Sequence, residues 1–265
     1  MSSIHPTAIV SPEAKIGENV TISPFAIIQD DVEIGDGTFI GPSVCVYNGA
    51  RIGNNVKIFQ GASVAHRPQD LKFKDEQTFV YVGDNTTIHE FVTLHRGTEA
   101  TRMTKVGKNV LLMAYSHIAH DTTIGDNCIL ANGVQIAGHV HVDDWAIIGG
   151  LSPVHQFCNV GKHVMIGGGF RAVQDVPPFI LCAGEPLRFE GLNVVGLRRR
   201  GFSREQIELL KKVYNVIYSS HYNITQAKEK ILNEFPPDPL IDDVLGFIAK
   251  SKRGLIGKKL GHQEV

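Results

Sequence analysis

The amino-acid sequence predicts a mainly β chain: a parallel β-helix of six-residue repeats over residues 1–183, followed by a small α-helical region over residues 184–265. Three observations carry that prediction. Aliphatic residues recur at every sixth position, two insertions interrupt the repeat without shifting its phase, and beyond about residue 183 the period gives way to helical spacing.

From Ile16 the chain reads IGENVT, ISPFAI, IQDDVE, IGDGTF, IGPSVC, VYNGAR, IGNNVK, IFQGAS, each hexad opening on Ile or Val and carrying a small or short residue at its fifth place. The repeat resumes at Val82 as VGDNTT and IHEFVT, and runs again from Val106 to Ile166. Such a period marks coils that stack, bury a continuous aliphatic column and touch only their neighbours, so the first and fifth places face inward. Gly after the aliphatic residue and Asn or Asp two places later suit the positive-φ corners. A Rossmann or ferredoxin-like pattern has no support here.

The segments AHRPQDLKFKDEQTFVY (65–81) and RGTEATRMTK (96–105) read as loops thrown outward from a continuing coil, the usual place for a binding face. After the coil, GFSREQIELLKKVYNVIYSS has the Ser203-to-Gln206 spacing of a capping box, with Ile207, Leu210, Val213 and Ile217 at helical intervals. TQAKEKILNEF and LIDDVLGFIAKS read as two further helices, the first ended by Pro236 and Pro237. Together they are expected to cap the open end of the solenoid, whose strand edges would otherwise invite aggregation.

With 265 residues, 43% hydrophobic and 20% charged, the chain can bury a large core without disulfides. Its 26 Lys and Arg nearly cancel 27 Asp and Glu, so no global field marks a nucleic-acid binder. Cys45, Cys128, Cys158 and Cys182 are far apart and form neither a metal motif nor a disulfide framework, which points to a reducing, cytoplasmic compartment. The N-terminus lacks the basic and apolar regions of a signal peptide and no apolar run is long enough for a membrane span; the chain is expected to be the whole mature protein.

The segment SHIAHD (116–121) concentrates ionisable groups in this otherwise aliphatic repeat. His120 and Asp121 occupy the third and fourth places of a hexad, so both are expected to point outward. With three hexads per coil, residues eighteen apart stack at about 4.8 Å; Asp121 then lies beside His139, and His120 beside Gly138 and Gln156, with His117 and His155 close by. A neutral imidazole can take a hydroxyl proton near neutral pH, a carboxylate can hold its tautomer, and Gly138 leaves a bare N–H for an oxyanion. Solvated surface histidines and a zinc site are the alternatives, the latter disfavoured because no cysteine joins the group. Cys128 and Cys158 fall at the inward fifth place, as short hydrophobes.

The ordered motifs QDLKF, VTLHRGT, HIAHD, CILANGVQIAGHV, AIIGG, VHQFC, HVMIGG, QDVPPF and GLRRRGFSRE resemble the UDP-N-acetylglucosamine O-acyltransferases of lipid A biosynthesis through nearly the whole chain. The resemblance implies a left-handed parallel β-helix of triangular section, a homotrimer with sites between subunits, and transfer of a (3R)-3-hydroxyacyl group to the sugar 3-hydroxyl. The donor would be acyl carrier protein bearing 4'-phosphopantetheine, with no cofactor resident on the enzyme. It also implies His120 as general base, Asp121 as its orienting partner and Gly138 as oxyanion donor, with His117, His139 and His155 around the reaction centre.

By the same resemblance Gln69, Asp70, Lys72 and Gln156 are similar to acceptor-binding residues, and Asn193, Arg199 and Arg200 to contacts with the nucleotide or the phosphopantetheine. Gly168 matches a position that limits acyl-chain length. Pro186 and Val195 depart from the His and Glu common in the family at those places, which bears on uridine binding. Arg198, Arg199, Arg200, Arg204, Lys211 and Lys212 form a candidate landing patch for the acidic carrier protein. The rival readings are an N-acyltransferase on a 3-amino UDP-sugar, a CoA-dependent hexapeptide acetyltransferase, a zinc carbonic anhydrase and a non-catalytic scaffold.

Overall fold

A computed structural model describes residues 2–219 and 221–258; residues 259–265, the end of the region predicted to be helical, lie outside the described residues. The chain winds into a prism whose three faces are parallel sheets of two- to four-residue strands. Successive strands step from the first face (such as Thr21–Ile22) to the second (Ile27–Ile28) and the third (Val32–Ile34) before returning one coil higher. Thr21 pairs with Phe39, and His117 with Gln135, so the register advances by eighteen residues per coil.

Both predicted insertions leave this register in phase. Val64 pairs with Leu94 thirty residues on, and Leu94 with Ile118 twenty-four on, multiples of six that leave the aliphatic column unbroken. That column consists of the first places, and Ile22, Ile40, Ile58, Ile88, Ile118 and Ile136 within it are each at most 1% exposed. Each such side chain contributes about 2 kcal/mol through removal from water. Fifth places are small because the prism narrows at its corners; Cys128 and Cys158 lie there, fully buried as expected. Thr38 fits because its hydroxyl donates to the Gly53 carbonyl at 3.0 Å and accepts from Val56 N at 3.1 Å.

At the corner after the third face, carboxylate and amide side chains tie one coil to the next. Asp36 accepts from Glu18 N at 2.7 Å, Asn54 from Asp36 N at 2.8 Å, and Asp144 from Asp126 N at 2.7 Å. The recurring Gly-Asp/Asn of the hexads is therefore a hydrogen-bond ladder.

Strand pairing continues past the last hexad. Ile180–Ala183 adds in parallel to the first face, and Arg188–Leu192 pairs with it antiparallel, a hairpin that the loss of period concealed. Four helices follow: α1 (Val194–Arg199), α2 (Arg204–Ile217), α3 (Ile224–Glu234) and α4 (Pro239–Lys250). The capping box of α2 forms between Ser203 and Gln206, and its inward residues Ile207, Leu210, Val213 and Ile217 are buried. Tyr214 reaches back to donate to Pro178 O at 2.6 Å, and Lys162 bonds Asp243 at 2.6 Å, fastening α2 and α4 to the coil. Helix α1 went unanticipated because six residues containing Val194, Val195 and Gly196 give neither a period nor helix propensity. Among the described residues no helix is long and apolar enough to cross a membrane.

Candidate active site

The SHIAHD segment crosses the corner that follows the second face. Asp121 takes a left-handed backbone there, with φ of 60°, as do His139 (60°) and Phe157 (64°) in the next two coils. Stacking places the side chains as the register requires. His120 Nδ1 donates to Asp121 Oδ2 at 2.8 Å, His139 Nε2 lies 3.8 Å from the same oxygen, and the two imidazoles meet edge to face at 5.1 Å. His139 is itself stacked on Phe157 at 4.7 Å.

Gly138 lies directly under the His120 ring: a Cβ there would come within 2.7 Å of Cε1 and 2.9 Å of Nε2. The Gly138 N–H finds no acceptor among the described residues. A groove of about 430 Å³ opens beside this pair on the second face, and His117, His155 and Gln69 all contribute to its wall.

One expectation needs correction. His120 does face the groove, but the Asp121 side chain does not point to solvent; it is fully buried. The second insertion folds over it, and Thr98 and Thr101 supply the hydrogen bonds that the missing water would have made. Burial alone would raise its pKa, yet the bonds from His120, Thr101 and Thr98 outweigh that cost and hold the carboxyl far below the usual carboxylate range. His120, Asp121 and His139 also bring three potential ligand atoms within 4.8 Å of one another. Both Asp121 oxygens already accept protein hydrogen bonds, so this donor set is satisfied as a histidine–carboxylate dyad.

Among the groove residues that sequence reasoning missed, two are ionisable. His95 is 4% exposed, its ring edge-on to His117 at 4.7 Å; burial, then the neighbouring His117, His66 and His120, lower its pKa to about 4. Burial and then His120 also lower the pKa of His117, whose Nδ1 lies 2.7 Å from the Thr93 hydroxyl. The signal for His95 was its place next to the Leu94 register position. Arg171, bonded to Glu185 at 2.9 Å, also lines the groove and carried no periodic signal.

The remaining predicted residues are not all brought together in one chain. Asp70 and Lys72 share a turn beside Gln69, in which Asp70 accepts from Lys72 N at 2.9 Å, while Gln156 is exposed at the His120 corner one coil beyond Gly138. Gly168 sits at the opposite edge of the second face, where a Cβ would lie 3.3 Å from Gly150 O. Asn193 and Arg200 lie at the third corner. Asn193 is 8% exposed, caps α1 by accepting from Gly196 N at 3.1 Å, and donates to His163 O at 3.0 Å. Arg200 lies over Trp145 at 5.2 Å, and Arg199 is exposed.

A hexad-built parallel coil carrying a histidine–aspartate dyad over a bare glycine at one corner defines a hexapeptide-repeat transferase. Residues 13–48, 31–66 and 103–138 match the bacterial transferase hexapeptide family (six repeats), and residues 175–256 match the family described as Udp N-acetylglucosamine O-acyltransferase; Domain 2. An acyl-[acyl-carrier-protein]--UDP-N-acetylglucosamine O-acyltransferase of Burkholderia mallei (strain SAVP1) is 51% identical over 262 residues, covering 97% of this chain and 100% of that protein. The structure of LpxA from Acinetobacter baumannii superposes with a TM-score of 0.92 at 42% identity, covering 96% of this chain and 99% of that one. LpxA from Bacteroides fragilis 9343, a UDP-N-acetylglucosamine acyltransferase, gives 0.94 at 47% identity with the same coverage. The chain belongs to the family of acyl-[acyl-carrier-protein]--UDP-N-acetylglucosamine O-acyltransferases, and its fold is the left-handed parallel β-helix expected above.

Proposed function

We propose that the protein transfers a (3R)-3-hydroxyacyl group from the phosphopantetheine thiol of acyl carrier protein to the 3-hydroxyl of UDP-N-acetylglucosamine, in lipid A biosynthesis, by direct attack. The observation that carries this reading is the His120–Asp121 dyad poised over Gly138 at the wall of the groove. With Nδ1–H donated to Asp121, Nε2 of His120 is left as the acceptor for the sugar hydroxyl proton. The hydroxyl oxygen bonds to the thioester carbon, and the carbonyl oxygen becomes an oxyanion within reach of the Gly138 N–H. Collapse breaks the carbon–sulfur bond, and the imidazolium returns its proton to the departing thiolate.

No acyl-enzyme forms in this scheme. Cys128 and Cys158 are buried in the column, where burial pushes their thiols to about 12 and about 11, and neither lines the groove.

Two features support a homotrimer with shared sites. Asn193, Arg199 and Arg200 are held at a different corner from His120, so a site using all of them draws on more than one subunit. Phe25, Phe91, Tyr115 and Leu151 also stand exposed along the first corner, with Phe91 stacked on Tyr115, the kind of apolar surface a neighbour covers. Gly168 lies on that corner at the far edge of the second face, where it would bound the acyl chain. The balanced charge and unpaired cysteines fit a cytoplasmic enzyme.

The test is acyl transfer by the purified protein, using UDP-N-acetylglucosamine with 3-hydroxyacyl carrier proteins of graded length, and with CoA donors and the 3-amino acceptor in parallel. Transfer to the 3-hydroxyl from carrier protein is the expected result. Activity confined to CoA donors or to the 3-amino sugar would replace this assignment, and a solution mass that is not a multiple of three chains would remove the shared site.

A further inference from the structure

The insertion at 96–105 is placed where the repeat does not need it. The next two coils pass the same corner at His139 and Phe157 with no inserted residues, in eighteen-residue register. The two coils before Asp121 are the ones lengthened at this corner, by twelve and by six residues, and the chain added in the nearer one returns over that one carboxylate. Thr98 N and Thr98 Oγ1 donate to it at 2.9 and 2.6 Å; Thr101 N and Thr101 Oγ1 donate at 3.2 and 2.5 Å. From below, Thr104 Oγ1 accepts from Asp121 N at 2.9 Å. Three threonines of one short segment thus bond a single residue.

The segment is also pinned independently of Asp121. Gly97 N donates to Phe79 O at 3.3 Å, Phe79 N donates to Arg102 O at 3.0 Å, and Arg102 N donates to Thr98 O at 2.8 Å. A side chain on Gly97 would collide with the Met103 backbone, so the return is as tight as the chain allows. A rigid frame that presents preset donors to a carboxylate fixes its orientation before substrate arrives.

Resting on the reading of His120 as base, we propose that Thr98 and Thr101 are positioning residues for the reaction: they clamp Asp121 so that it holds the His120 ring, and they draw off part of the carboxylate's charge. Each hydroxyl bond competes with the imidazole for the carboxylate's negative charge. An unshared carboxylate would stabilise the imidazolium of His120 more strongly and keep the base protonated to higher pH. The other groups facing His120 are His139 from the next coil, His117 from the strand that leads into its corner, His95 from the preceding coil, and His155 and Arg171 across the groove. Glu99, Arg102 and Lys105 of the insertion are exposed.

The experiment uses the full-length assembly with Thr98→Val and Thr101→Val, singly and paired, beside Thr98→Ser and Thr101→Ser. Two readouts are taken: the pH profile of kcat/KM, and the NMR titration midpoint of His120 with ring-labelled histidine, its signal identified by loss in His120→Gln. The paired valine variant should shift the acid limb and the midpoint upward by about one pH unit, with about a tenfold loss on the acid side. KM for UDP-N-acetylglucosamine should stay within about twofold, and the serine variants should restore both readouts. If the paired variant does not fold, Thr101→Val alone, at the surface end of the clamp, gives the same upward shift on a smaller scale. A rate loss uniform in pH, with the midpoint unmoved or lowered, would overturn the proposal and leave the threonines as loop fasteners. An upward midpoint in an enzyme whose His120→Ala form still turns over would uphold the clamp and remove the base.

Discussion

Two corners of one coil put the same backbone to different uses. Along the corner after the third face, the left-handed fourth places are Asn19, Gly37, Asn55, Asn85, Asn109 and Asn127, with φ between 54° and 67°. Along the corner after the second face, the corresponding places in the later coils are Asp121, His139 and Phe157 at nearly the same φ. Glycine and asparagine enter that region most readily, aspartate and histidine more readily than most residues, whereas a bulky phenylalanine costs about 1 kcal/mol or more. The residues that replace asparagine stand where their side chains touch more than their own corner: a loop, the His120 ring, an aromatic stack. The third corner obeys the same rule where it meets the helices, since Trp145 and His163 replace asparagine beneath Arg200 and Phe202. Departure from the corner residue, more than the hexad itself, marks function or contact.

The sharpest way to break this comparison is at Gly138. Gly138→Ala places a methyl against the His120 ring, and transfer should fall by about a hundredfold or more with thermal stability nearly kept; wild-type kcat/KM would show that the ring does not work in that position. His139→Asn restores the residue favoured by the corner but removes the edge contact to His120. Turnover should drop about tenfold while stability moves by less than about 1 kcal/mol, and an unchanged rate would make His139 a packing residue. Asn109→Ala is the converse case: denaturation should show a loss of about 1 kcal/mol with activity intact.

The smallest effect is in pH dependence. Burial, Arg200 and Lys162 lower His163 to about 4, and burial with its neighbouring histidines lowers His95 to about 4. Both lie below the unfolded value near 6.5, so the unfolded chain binds more protons between those limits. Stability should therefore fall as pH drops from about 6.5 to 4, by on the order of 1–2 kcal/mol per group after screening. His163→Phe should flatten that slope in a pH series of unfolding midpoints; a slope equal to wild type would assign it elsewhere.

The coil was legible in the sequence because its determinants are periodic: the aliphatic first place, the small fifth place and the Gly-Asn corner each recur every six residues. Stacking arithmetic then places Asp121 beside His139 and His120 over Gly138 from the eighteen-residue step alone. The burial of Asp121 was not legible, because it depends on where an aperiodic loop lands; nothing in RGTEATRMTK shows that two of its threonines turn back onto one carboxylate. His95 and Arg171 escaped for a related reason, since one lies just after and the other just before a register position where the chain leaves the repeat. The hairpin at 180–192 and α1 rest on tertiary pairing and a single cap, which leave no period to read.

The central claim, that His120 takes the acceptor proton during direct attack, is tested most directly by the single-turnover rate of acyl transfer in His120→Ala, with UDP-N-acetylglucosamine binding measured on the same sample. The account predicts a loss of about a hundredfold to ten-thousandfold with acceptor affinity essentially retained. Near-normal transfer in that variant, or free carrier protein released before any acceptor is added to the wild-type enzyme, would contradict it.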